Sequence, residues 1–443
     1  MRESLTVSGK WRRATCLLAI ACIALASSSC TSGHPPSATM KVQAGQTTYT
    51  LTQADRAEIF DFVWRTINEK YYDPSFHGVD WRAVGERYRP RMEAAPNDQE
   101  FYAQFELMLA ELRDDHTRFF GPPPPALPGR QKDGDAPPSL GMTLGEVEGQ
   151  TVVTEVEADS GAARAGIRPG MLLRAVNGRP IEEIYREIRT VFPGASSERS
   201  MKNTMHRALL YGWFMALPRT LVLVDEDGRE LTVQPETMPA ASSSGLEARR
   251  LASGSGYIKF DKWMPPADKR FNTELAKLMD TPGLIIDLRG NGGGQTDVLL
   301  NIASNFFAVP TYTGGFRTRA GTIDRHTTHA PGQLYTQPVV ILIDELSASA
   351  SETFTTFMQE HGRAYVVGRQ SSGSTLNTRI HKVKGGGELR VSIRAYISPR
   401  GRNPEGTGVV PDKIVPLTLA DLRQGRDAAL ETAEAYLRER QRR

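Results

Sequence analysis

A chain of 443 residues can hold two or three domains around a sizeable core, and 39% apolar with 24% charged residues excludes a fibrous or disordered protein. The formal net charge of +3 resides in the first thirty residues, where Arg2, Lys10, Arg12 and Arg13 oppose Glu3; residues 31–443 carry 50 basic and 50 acidic side chains. Such a neutral body, with no Lys/Arg stripe and no interleaved aromatics, argues against nucleic acid as a partner.

Residues 1–30 read as an export leader: the basic start is followed by an apolar run from Ala14 to Ala26, too short to span as a mature helix, and then by Ser27-Ser-Ser-Cys30. Small residues before Cys30 make it a candidate for lipidation and membrane attachment, although Ser27 stands where a leucine is usual. The expectation is an exported protein, periplasmic or held at the cell envelope as a lipoprotein. Cys16, Cys22 and Cys30 are the three cysteines, so beyond the leader no thiol is available for a disulfide, a metal or a nucleophile.

A polar linker (31–50) precedes a helical segment (51–125) with apolar residues at helical spacing: Ile59, Phe60, Val63, Trp64 and Ile67, then Phe101, Phe105, Met108, Leu109 and Leu112. Prolines from Pro122 onward cannot continue a helix, and a linker is expected over 126–138. Residues 139–240 alternate short strands with turns such as Asn177-Gly178 and Asp227-Gly228, which predicts a small β domain. From 250 to 425 strands and helices alternate: Gly256–Phe260, a helix near 267–280, 284–288, a helix over 296–307, 338–343, a helix over 351–361, and 364–367. That pattern predicts an α/β domain with a mostly parallel sheet. The remainder, 426–443, ends in a basic helix terminus exposed to solvent.

Ser349 follows the uniformly apolar run Pro338–Ile343 and precedes a segment of helical spacing that stops at Gly362. A hydroxyl delivered to a helix start lies where unpaired N–H groups favour a developing oxyanion. The plainer alternative is a capping box, since Ser349 and Glu352 have the S-x-x-E spacing. The loop Arg289-Gly-Asn-Gly-Gly-Gly294 also offers backbone N–H groups after a buried strand, but no G-K-[ST] follows it and its spacing is not that of G-x-G-x-x-G, so nucleotide binding is disfavoured.

Within 139–240, Ser139-Leu-Gly-Met142, Asp159-Ser-Gly-Ala-Ala-Arg-Ala-Gly-Ile-Arg-Pro-Gly-Met171 and Val176-Asn-Gly178 resemble a PDZ domain. The resemblance implies that Ser139, Leu140, Gly141 and Met142 form a carboxylate-binding loop and that a strand edge accepts an extended chain. Residues 190–216 depart from a compact PDZ domain as an insertion of unassigned role. Gly256–Phe260, Ile286-Asp-Leu-Arg289 with Asn291, Gly293 and Gly294, Ser347-Ala-Ser-Ala-Ser-Glu352, Gly362-Arg-Ala364 and Gly406-Thr-Gly-Val-Val-Pro-Asp412 together resemble the carboxy-terminal processing (tail-specific) serine proteases. That resemblance implies a crotonase-like ββα catalytic domain, Ser349 as nucleophile, oxyanion donors at Ala350 and Gly293, no cofactor, and polypeptide substrates bound by their C-terminal tails.

One departure matters. Where Ser–Lys members carry a general-base lysine, this chain reads Ser372-Gly373-Ser374-Thr375, and Thr378 replaces the glutamine that follows. A serine hydroxyl needs a base at neutral pH. Glu405 matches a glutamate of the tricorn-like branch and is the preferred candidate, with an unnamed partner; Lys259 stands where that branch places a histidine; His116, in Asp114-Asp-His-Thr117, reads mainly as a structural histidine at a helix end. Ser374 and Asn377 are expected to line the pocket vacated by the lysine. His326 and His329 lack a third ligand, so no metal is expected. The expected function is a serine endopeptidase acting through an acyl-enzyme on Ser349. The rival is a catalytically silent peptide-binding protein of the same fold.

Overall fold

Val339–Ile343 is buried at every position, as a β-branched run without polar alternation requires, and it forms the middle of a six-stranded sheet. The computed structural model describes residues 50–122, 139–191, 194–211, 219–238 and 245–442; the expected leader with Cys30 and the linker at 126–138 lie outside them. The sheet runs Lys413–Ile414, Ala364–Gly368, Val339–Ile343, Leu284–Asp287, Gly256–Phe260 and Leu246–Arg250, all neighbours parallel except the last pair. One face carries Ile258, Phe260, Ile286, Ile341 and Val366 against helices Ala267–Ala276, Thr296–Ala303 and Ala350–Glu360. The opposite face carries Tyr257, Ile285, Val340, Leu342 and Val367 against the C-terminal helix Ala428–Gln441 through Ala429, Ala433 and Leu437. Each wholly buried aliphatic or aromatic side chain here contributes about 1.5–3 kcal/mol.

The helices Gln53–Lys70, Trp81–Glu93 and Asp98–Ala110 form where the apolar spacing predicts them, each opened by a capping side chain: Thr52, Asp80 and Asn97. Unlike the expectation of a separate helical domain, they enclose no core of their own. Ile59, Phe60, Val63, Phe101 and Phe105 pack in one cluster with Leu376, Leu389, Val391 and Ala395. Those partners belong to a second, antiparallel sheet that the sequence pattern did not reveal: Arg118–Phe120, Glu388–Ile397, Tyr312–Thr318 and Ile323–Thr327, with Asn377–Lys382 also paired to Glu388–Ile397. Its strands mix Arg, His and Gly with apolar residues, so period-2 alternation is weak there.

A third sheet, Met142–Val147, Gln150–Val156, Leu172–Val176, Leu221–Val224 and Glu230–Val233, holds a core with helices Ile181–Val191 and Glu198–Tyr211. The second of these helices lies in the insertion. Its Met201, Met205, Ala208 and Leu209 share the core with Met142 and Leu144 of the edge strand, and Lys202 Nζ stands 2.7 Å from Glu146 Oε2. Among the described residues no helix is long and apolar enough to cross a membrane.

Candidate active site

Ser349 immediately precedes helix Ala350–Glu360 and has φ 54°, ψ −115°, a conformation that costs a residue with a Cβ roughly 1–3 kcal/mol. The local sequence explains how it is held. Asp344 and Ser347 close a tight turn after the strand: Ser347 Oγ accepts from Asp344 N–H at 3.0 Å and donates to Leu288 O at 2.8 Å. Ala348 N–H and Ser351 Oγ both donate to Asn291 O, at 3.0 and 2.9 Å. Asp344 Oδ1 takes Gly290 N–H at 3.0 Å. The serine turn and the glycine loop are thus stitched together by main-chain and short-side-chain bonds.

That stitching makes Gly293 indispensable where it stands. With φ 97°, it approaches so closely that a Cβ would lie 2.6 Å from Ser349 Cβ, 2.8 Å from Ala348 O and 2.9 Å from Ala350 N. Ala350 is the first helical residue, and its N–H has no intrahelical acceptor. The half-exposed Ser349 side chain and the Ala350 N–H therefore lie together against the bare Cα of Gly293 at the helix start. One expectation is corrected here: the N–H of Gly293 donates at 2.9 Å to Asn291 Oδ1, whose own Nδ2 donates to Phe260 O. In this arrangement the Ala350 N–H has no intrahelical acceptor, while that of Gly293 is engaged within its own loop.

Glu352 answers the capping-box alternative. Its buried carboxylate accepts Ser349 N–H at 3.0 Å, so the capping-box pairing of the two residues is realised in the structure. The same carboxylate gathers Ser371 Oγ at 2.6 Å, Gly373 N–H at 2.7 Å and Ser374 N–H at 2.9 Å. Burial raises its pKa, against the lowering pull of these four bonds. The segment expected to carry a lysine is instead a serine-rich loop folded around a carboxylate, and Ser374 O accepts Ser349 N–H at 2.8 Å.

Ser374 is brought to the site; Asn377 opens the antiparallel strand Asn377–Lys382 opposite Arg394. The Ser374 hydroxyl donates at 3.0 Å to Asp115 Oδ2, which also takes the Ser200 hydroxyl. Asp115 directly precedes His116, so the turn Asp114–Thr117 is part of the site wall. His116 Nδ1 is buried without a hydrogen-bond partner, and burial, opposed by Asp114 and Asp115, lowers the ring's pKa. Glu405 Oε2 accepts Thr375 N–H at 2.6 Å and Thr375 Oγ1 at 3.1 Å. Burial, aided by the negative charges of Asp114 and Glu352, pushes this carboxyl up to about 8.

Lys259 is not brought to Ser349. Alternation along Gly256–Phe260 puts it on the face of Tyr257, away from the face that meets helix Ala350–Glu360, and its Nζ lies 3.9 Å from Glu155 Oε1. Asp287 and Arg289 do brace the glycine loop: Arg289 bonds Asp287 and reaches Asp427 at 2.8 Å, which lifts the guanidinium pKa further. The expected carboxylate-binding loop is also corrected in detail. Ser139 N–H donates to Met238 O at 2.8 Å, Gly141 N–H to Ser139 Oγ at 2.9 Å, and Leu140 and Met142 are core residues.

Sequence reasoning missed Asp115, Ser200 and Ser371, and set His116 aside as structural. The Asp-x-His-Thr element was visible, but only long-range packing shows that it meets Ser374.

Residues 254–415 match peptidase family S41, and residues 52–110 match the tricorn protease C1 domain. The chain is 26% identical over 380 residues to a carboxyl-terminal-processing protease of Synechocystis sp., covering 84% of each chain. It is 26% identical over 396 residues to a putative tricorn protease homolog of Streptomyces coelicolor, covering 86% of this chain and 32% of that one. In fold it resembles mature CPAF (TM-score 0.64, 15% identity, 87% of this chain and 96% of that one). It likewise resembles the photosystem II D1 C-terminal processing protease (TM-score 0.58, 21% identity, 82% and 93%).

Proposed function

The chain belongs to the S41 peptidases, serine-type hydrolases that include the carboxyl-terminal-processing proteases, and we propose that it is an endopeptidase whose nucleophile is Ser349. The observation that carries this reading is the convergence of the Ser349 side chain and the Ala350 N–H on the open side of Gly293. A peptide carbonyl placed there is attacked by Ser349 Oγ as the hydroxyl proton passes to a base, and its oxygen becomes an anion facing Ala350 N–H. Collapse breaks the C–N bond, the base returns its proton to the leaving amine, and water releases the acyl group by the same steps in reverse. A second oxyanion donor requires the Gly293 N–H to turn from Asn291, or to be shared with it.

For the base we propose His116, with Glu405, the candidate the sequence prefers, as the alternative. A neutral imidazole with an unpartnered buried nitrogen is ready to take a proton, and Asp115 ties its segment to Ser374. The remaining chemistry follows from the sequence. The catalytic domain is read as crotonase-like and the third sheet as PDZ-like. C-terminal tails of exported polypeptides would be the ligands of that sheet, and docking a carboxylate at Gly141 requires the Ser139 hydroxyl to swing away. No cofactor enters the scheme.

The loss of the expected lysine at Ser374 favours the rival reading, a silent peptide-binding protein. A fluorophosphonate probe separates the two: covalent labelling of the purified protein that vanishes in Ser349→Ala is expected. A protein that neither labels nor cleaves an unfolded substrate bearing an apolar C-terminal tail leaves only the binding role.

A further inference from the structure

Two departures from expectation, the insertion over 190–216 and the serine-rich loop at 371–375, meet in space. Ser197 Oγ donates to Ser372 O at 2.5 Å while accepting Ser200 N–H at the start of helix Glu198–Tyr211. Arg199 Nε donates to Ser371 O at 2.7 Å, and its terminal nitrogen to Thr407 O at 2.6 Å. Ser200 Oγ bonds Asp115 and lies 3.4 Å from Ser374 Oγ, and Asn203 Nδ2 donates to Glu345 O at 2.6 Å. The first turn of the inserted helix is seated on the loop that holds the Ser349 main chain.

Arg199 stands out within that turn. It spans the two loops that close over Ser371, it is half-buried, and among the described residues no carboxylate lies within ion-pair distance of it. The charge it feels is that of Glu352, one residue's reach away through Ser371, whose hydroxyl donates to Glu352. The four donors around Glu352 are all neutral.

We propose that Arg199 is a positioning residue of the active site: from the inserted helix it supplies the cation that balances buried Glu352, and it clamps the 371–375 loop that aligns Ser349. Neither role makes it a base, since a guanidinium stays protonated. This inference rests on the reading of Ser349 as nucleophile. The charged groups around the loop are Glu405, which feels Glu352 and Asp114; Asp115, which accepts the Ser374 hydroxyl with His116 beside it in the chain; and Arg199, the cation from the insertion, which feels Glu352. Removing Arg199 takes that cation's charge away from Glu352 and raises the carboxyl's tendency to hold a proton. A protonated Glu352 retains fewer acceptor sites for Gly373 and Ser374, so Ser349 loses its alignment at a higher pH than before.

The experiment compares wild type, Arg199→Gln, Arg199→Lys and, as a control in an exposed ion pair with Glu198, Arg189→Ala. Read-outs are fluorophosphonate labelling rate and peptide-cleavage kinetics across pH, with thermal unfolding alongside. Arg199→Gln is expected to lower kcat on the order of tenfold or more with KM within about twofold, and to move the acid limb of the profile to higher pH. Arg199→Lys keeps the charge but not both bonds; it is expected to restore the acid limb and only part of kcat. Should Arg199→Gln fail to fold, Arg199→Lys against wild type carries the test through its lowered kcat at unchanged acid limb. An unlabelled wild type overturns the reading of Ser349. A labelled wild type whose Arg199 variants keep its kcat and acid limb overturns the role of Arg199 alone.

Discussion

Gly293 shows how little room the site leaves. Alanine there needs a side chain at φ 97°, with its methyl carbon 2.6 Å from Ser349 Cβ, so either the glycine loop or the serine turn must move. Gly293→Ala is expected to reduce kcat about 100-fold or more and to lower stability by about 1–3 kcal/mol, as read by steady-state kinetics and denaturant unfolding. Wild-type kinetics in that variant would mean that the reacting centre lies elsewhere. Glu405 supports a prediction in pH. Its folded pKa of about 8 lies above the ordinary carboxyl value, so the folded state binds a proton that the unfolded chain gives up. Stability from this group is full below the unfolded pKa and is lost as pH rises towards 8. Glu405→Gln, a permanently neutral isostere, removes that decline. Between pH 5 and 8.5 the wild type is expected to lose ~1–2 kcal/mol relative to the variant, less than a wholly buried carboxyl would, because Glu405 is partly exposed and screened by solvent. Parallel melting curves for the two proteins would refute the assignment.

The helices Gln53–Lys70, Trp81–Glu93 and Asp98–Ala110 were legible one by one, from spacing and caps, yet their partner was not. They cover strands Asn377–Lys382 and Glu388–Ile397, hundreds of residues onward, through Leu376, Leu389, Val391 and Ala395. Hydrophobic periodicity reports which face of an element is apolar and nothing about what covers it. A fragment of residues 245–442 leaves that sheet bare, and is expected to aggregate or to give no cooperative melt, whereas residues 50–442 melt cooperatively. A soluble fragment with a native-like melt would restore the separate helical domain. The inserted helix makes the same point. Its sequence carries Met, His and Ser at helical spacing but no signal that Ser197 and Arg199 end on a distant loop.

Residues 48–443 form one compact unit, and what was readable in them divides by the range of the interaction concerned. The parallel sheet, the glycine loop and the serine at a helix start are encoded within a few residues each, and all three stand where the pattern put them. The proton acceptor was not readable because it depends on which buried groups meet: burial turned Lys259 towards Glu155 and left His116 without a partner for Nδ1. One arrangement has a bearing on how the molecule is made. The 371–375 loop that accepts the Ser349 N–H is itself bonded to the Asp114–Thr117 turn, to Ser197 and Arg199 of the insertion, and to Glu405. A ribosome that has released only the first three hundred and fifty residues has delivered Ser349 without the loops at 371–375 and 405 that brace its surroundings. On the role proposed for Ser349, cutting power ripens late, after almost the entire polypeptide has emerged.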